Sequence, residues 1–107
     1  MKHSKLFIFA IMTTLAVSGC KHQAATDPTD TLTTKNGSQL TITFFKHASL
    51  AIETEGRHIY IDPISQYADY ASLPKADLIL ITHSHYDHLD SAAVAALSTA
   101  APTVGWD

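Results

Sequence analysis

Residues 83 to 88 read HSHYDH, which places three of the chain's seven histidines and one aspartate in six consecutive positions. Imidazole and carboxylate groups crowded together lose hydration, and a divalent cation compensates both at once. His83 and His85 are two residues apart, so on extended backbone they project to the same side. Asp87 and His88 follow in the turn, and the four ligands converge without help from distant sequence. Imidazole pairs suit Zn²⁺, and the added carboxylate tolerates Mn²⁺ or Fe²⁺, so one ion or a pair fits the set. Chance alone yields HxHxDH in roughly two chains per thousand of this composition, which makes accident a poor account.

The cluster needs a rigid edge to stand on. It follows DLILIT (residues 77 to 82), whose four successive apolar residues predict a central strand covered on both faces. After it, Asp90 can cap a helix through SAAVAALSTA (91 to 100), with Leu89 and Val94 placed as a hydrophobic staple. Val94 and Leu97 face the sheet, Pro102 ends the helix, and TVGW opens another strand. Upstream, LTITFF (40 to 45) alternates at the period of a half-buried strand. LAIET and HIYID flank Gly56 and predict a β-hairpin over 49 to 62, which Pro63 closes. ISQYADYASLPKA then reads as a loop or short helix, with Tyr67 and Tyr70 packed on the sheet. His58, opposite Ile59 and Ile61 in the alternation, is a surface position. Strands followed by a helix predict an α/β class, an α+β layered arrangement of sheet and helix.

A chain of 107 residues, 46% hydrophobic and 16% charged, has room for one globular domain at most. Its formal charge of −3, with no arginine-rich stripe, argues against nucleic acid as a partner. The first twenty residues, MKHSKLFIFAIMTTLAVSGC, join Lys2 and Lys5 to an apolar run from Leu6 to Val17 that is too short to span a membrane. VSGC resembles the lipobox of bacterial lipoproteins, which implies a signal at residues 1–19 and lipidation of Cys20. The protein is then exported and held by its lipid at the bacterial cell membrane or outer membrane, facing the periplasm or exterior. Cys20 is the sole cysteine, which excludes an internal disulfide. Residues 20–39, rich in Thr, Asp and Ala without hydrophobic period, predict a flexible tether in which His22 is solvated.

THSHYDH after a hydrophobic strand resembles the HxHxDH signature of the metallo-β-lactamase superfamily. IDP at 61 to 63 matches an upstream motif of that superfamily. KHASLAIETEGRHIYIDP is similar to the opening hairpin of its ascorbate-phosphate-lactonase-like branch. The resemblance implies that residues 40–107 are the N-terminal half of a four-layer αββα sandwich. It further implies that His83 and His85 ligate a first metal, and Asp87 and His88 a second. Asp87 would be catalytic in orienting a metal-bound hydroxide that hydrolyses an ester, lactone, amide or phosphoester of a small-molecule substrate. Asp62 either orients the ligand loop or bonds its own strand-end turn, and His47 either sits at the rim of the site or is a simple loop histidine. The later ligands of that superfamily have no counterpart here, so the chain is expected to show little turnover alone. The alternative is a lipid-anchored metal-binding lipoprotein without chemistry.

Overall fold

A computed structural model describes residues 26–98 and 103–105. The signal and Cys20 lie outside the described residues. Six strands form one sheet in the order β1-β2-β3-β4-β5-β6: Thr29–Thr33, Gln39–Lys46, Ser49–Thr54, Arg57–Ile61, Leu78–Ile81 and Thr103–Gly105. The first four run antiparallel to their neighbours, while β4, β5 and β6 are parallel. The helix α1, Ser91–Leu97, fills the crossover between β5 and β6. This mixed sheet with its helix is a partial α/β domain of the expected class.

The hairpin of β3 and β4 turns through Glu55 and Gly56, at φ 51° and 73°. Two successive positive φ values match the right-handed twist of a two-residue hairpin, and glycine meets one of them without steric cost. β2 and β3 join through His47 and Ala48, and a bulge between Phe44 and Lys46 bends β2 as it enters that turn.

Register and alternation divide the sheet into two unlike faces. Tyr60, Ile79 and Ile81 point to one of them and pack with Tyr70, Ala76, Ala93 and Leu97 into the core. Tyr70 lies in a short 3-10 turn (Tyr70–Ser72) and meets Phe45 and Tyr60 edge to face, as expected of a tyrosine packed on the sheet. Burial, reinforced by Tyr70 and Glu53, pushes the Tyr60 phenol up to about 12, and its hydroxyl donates to the Pro74 carbonyl at 2.6 Å. Tyr67 is half-buried under the Lys46 ammonium, 5.7 Å from the ring centre.

Three expectations are corrected. The tether is not free of structure beyond residue 28, because Thr29–Thr33 pairs along its whole length with β2. All five of its residues are exposed, so the ladder, not an apolar face, holds the strand, and no hydrophobic period marks it. The helix stops at Leu97, well before Pro102, where Ser98 turns extended and returns both its N–H and its hydroxyl to the Val94 carbonyl. Among the described residues β5 is covered on one face only: Ile79 and Ile81 are buried, whereas Leu78 and Leu80 are half-exposed.

Candidate metal centre

Three connections meet at one edge of the sheet: the β2–β3 turn, the residues after β4 and those after β5. The last two are the C-terminal ends of parallel strands, where open α/β sheets present their ligand sites. β5 delivers Thr82, His83 and His85, and its continuation carries Asp87 and His88 before Asp90 starts α1. Asp90 fixes that continuation from both sides. One carboxylate oxygen accepts from the N–H groups of Ala92 and Ala93, and the other accepts from Ser65 at 2.8 Å.

Asp62 is fully buried at the end of β4, in the left-handed region at φ 45°. Aspartate tolerates that backbone better than most residues. Its carboxylate accepts from the Thr82 N–H at 2.7 Å, from the Thr82 hydroxyl and from His88 Nδ1 at 2.7 Å. Among the described residues no buried side-chain polar atom lacks a partner, so this desolvated charge is compensated. A carboxylate can only accept, so His88 donates through Nδ1 and turns Nε2 toward the open edge. Of the two sequence readings of Asp62, the orienting one fits this geometry. Ser49, also buried, donates its hydroxyl to the Asp62 carbonyl and ties the residue to the start of β3.

Nε2 of His88 points at Asp87 Oδ2, 3.5 Å away. His83 Nε2 and His85 Nδ1 face each other at 3.1 Å, and the His83 and His88 rings lie 3.8 Å apart by centroid. Two donors about 2.05 Å from a tetrahedral ion are themselves about 3.3 Å apart, so the His83–His85 and His88–Asp87 atom separations suit ligands around a cation. Two groups have ligand atoms mutually within 4.8 Å: His83, His85 and Asp87, and His47, Asp87 and His88. The nitrogen-rich donor set, with one carboxylate common to both groups, suits Zn²⁺ and its neighbours. Partial burial by itself would raise the Asp87 carboxyl; its own backbone N–H, then His88 and His47, outweigh that and hold it below the usual carboxylate range.

All six residues singled out at this edge by sequence therefore lie together: His83, His85, Asp87, His88, Asp62 and His47. His58 does not join them; it sits half-buried near the opposite end of β4, where its backbone exchanges hydrogen bonds with Asp77. Sequence reasoning missed Thr82 and Ser49. A hydroxyl residue directly before the first histidine, and another in the KHAS break, are the only signals they leave. Two surface clefts, one around Tyr67–Ala71 and one beneath Pro74, are lined by none of the cluster, which occupies an open edge.

Similarity to known proteins covers this same region. A UPF0173 metal-dependent hydrolase of Flavobacterium johnsoniae is 46% identical over 68 residues, 59% of this chain and 30% of that protein. An N-acyl-phosphatidylethanolamine-hydrolyzing phospholipase D of Caenorhabditis elegans is 31% identical over 88 residues, 64% of this chain and 24% of its own length. A crystal structure from Parabacteroides distasonis, of a protein assigned as a metal-dependent hydrolase, superposes with a TM-score of 0.68 at 50% identity, covering 69% of this chain and 34% of that one. The chain thus spans about a third or less of the length of these relatives. Residues 41–104, more than half of the sequence and the whole of the edge just described, match the model of the beta-lactamase superfamily domain, and the chain belongs to that superfamily.

Proposed function

We propose that this chain carries the first half of the active edge of a metal-dependent hydrolase acting on an ester, lactone, amide or phosphoester bond of a small molecule. The observation that carries the reading is the Asp62–His88 pair at 2.7 Å, because it holds His88 by Nδ1 and directs Nε2 toward Asp87. His83 and His85 would hold one cation and His88 with Asp87 a second, Zn²⁺ being favoured by three imidazoles and Mn²⁺ or Fe²⁺ tolerated by the carboxylate. Such a cation, when bound, lowers the pKa of water from 15.7 to about 7 and stabilises negative charge developing on the substrate oxygen. The chain's own residues do the rest. Asp62 fixes the orientation of His88 and Thr82 fixes Asp62; Asp87, its carboxyl held below the usual range, would accept a hydrogen bond from, and so orient, the attacking water. The phospholipase D among the relatives supports keeping phosphodiesters within the substrate range.

Elemental analysis of the purified full chain offered Zn²⁺ and Mn²⁺ tests the reading. Stoichiometric uptake is expected, and it should fall when His83 and His85 are both changed to Ala. No uptake would sink the proposal. Uptake without turnover on ester, lactone and phosphodiester panels by a longer form carrying a second half-domain would favour the metal-binding lipoprotein instead.

Export and anchoring are proposed on sequence grounds. VSGC at 17 to 20 supports lipidation of Cys20, with no nucleic acid among the partners of so acidic a chain. Incorporation of labelled fatty acid that is abolished by Cys20→Ser is the expected result.

A further inference from the structure

We propose that His47, from the β2–β3 turn, is a direct ligand that completes a three-residue position for a divalent first-row cation with Asp87 and His88. The inference rests on the metal-dependent reading above but goes beyond it, since the resemblance gives His47 no place among the ligands.

His47 Nε2 lies 3.3 Å from Asp87 Oδ2, and His88 Nε2 lies 3.5 Å from the same oxygen. Both separations match the edge of about 3.3 Å expected between donors around a tetrahedral zinc. The three ligand atoms are mutually within 4.8 Å. The two imidazole rings meet at 63° with centroids 5.1 Å apart, and each brings its Nε2 to the same Asp87 oxygen.

A hydrogen-bonded rim pair is the simpler alternative, and two observations weigh against it. First, His88 already donates Nδ1–H to Asp62. Its Nε2 is therefore left to the open edge, where it and His47 Nε2 converge on the same Asp87 oxygen, as ligands around one cation would. Second, His47 sits at φ 55°, a left-handed backbone that a histidine adopts only at some cost. Its side chain is 48% exposed, and an ion pair that open to solvent adds little stability to offset such a turn. A cation shared by His47, Asp87 and His88 accounts for both features. The bulge at Phe44/Lys46 bends β2 directly before the turn, which is where bulges re-aim a side chain.

The test is side-chain ¹⁵N NMR of the full chain titrated with Zn²⁺, beside zinc affinities of the parent and His47→Asn. Asparagine accepts a left-handed backbone and can still hydrogen-bond Asp87, but it is a poor zinc ligand. Nε2 of His47 and of His88 should both move into the zinc-bound range while His58 stays put, and His47→Asn should weaken zinc binding tenfold or more with unchanged circular dichroism. If His47 does not move while His83, His85 or His88 does, or if His47→Asn binds zinc as the parent does, the inference is overturned and the metal-dependent reading stands. If no histidine responds to zinc, both are overturned.

Discussion

Asp62 shows how a residue that never reaches solvent can set the chemistry of another. Three donors surround its buried carboxylate, and one of them is the Nδ1–H that decides which nitrogen of His88 is free. Asp62→Asn keeps the volume but replaces one acceptor oxygen with an NH₂ group, which must face one of those donors or force His88 into the other tautomer. Either way Nε2 ceases to be a clean ligand, and zinc affinity should fall 10–100-fold, the usual cost of losing a partner that orients a ligating histidine. Isothermal titration of the parent and variant measures this; equal affinities would mean that His88 does not depend on Asp62. The ligand cluster was legible from sequence because its members are consecutive and of types that rarely crowd without reason. The supporting hydroxyls were not. Thr82 and Ser49 lie 20 and 13 residues from Asp62, and serine or threonine at a strand end has many ordinary uses. His47 was legible only as a neighbour, since no spacing rule says that a turn 40 residues upstream of Asp87 folds over it.

At the scale of elements, the loop that bears the ligands is clamped between β5 and α1, and Asp90 is the clamp at its far end. The carboxylate caps α1 and also accepts from Ser65, and those backbone N–H groups, that of Ser65 foremost, hold its pKa below the ordinary value. A lowered folded pKa means stability that is fully present above the unfolded value near 3.9 and is lost as pH falls through the folded value. Asp90→Ala should cost about 1 kcal/mol at neutral pH. Asp90→Asn, which still caps but cannot ionise, should cost less and should remove this residue's share of the acid destabilisation. Urea denaturation of the three proteins at pH 7 and pH 3 checks both statements, and an unchanged acid limb in Asp90→Asn would refute the second. Capping of this kind was readable in advance, as were β2 to β5, because alternation, glycine turns and a side-chain cap all act over a few residues. β1 and the end of α1 were not readable. The first is held only by its ladder with β2, and the second by the Ser98 back-bonds to Val94, neither of which leaves a hydrophobic pattern.

In the molecule as a whole, the sheet has two apolar faces, and among the described residues only one of them carries a helix. Ile42, Leu50, Ile52, Ile59, Ile61 and Leu80 share the other face by register, and none of them is buried. The run LILI looked like a strand covered on both sides because both alternating sets are apolar; which set meets the helix is decided by α1 and the 3-10 turn, far along the chain. Adjacent residues of one strand can therefore separate the two faces. Ile79 is completely buried, and Ile79→Ala should cost about 2–5 kcal/mol, the range for emptying a packed core position. Leu80→Ala removes a side chain of equal size from the half-exposed face and should cost less than half as much, since less apolar area leaves water there on folding. Denaturant midpoints of the two variants at low protein concentration measure the difference. Equal costs would mean that the second face is covered in solution, by a further layer or by another copy, and Leu80→Ala should then become costlier as that cover is supplied. A large gap would instead mean that α1 and the tyrosine cluster alone support the edge on which His83, His85, Asp87 and His88 stand.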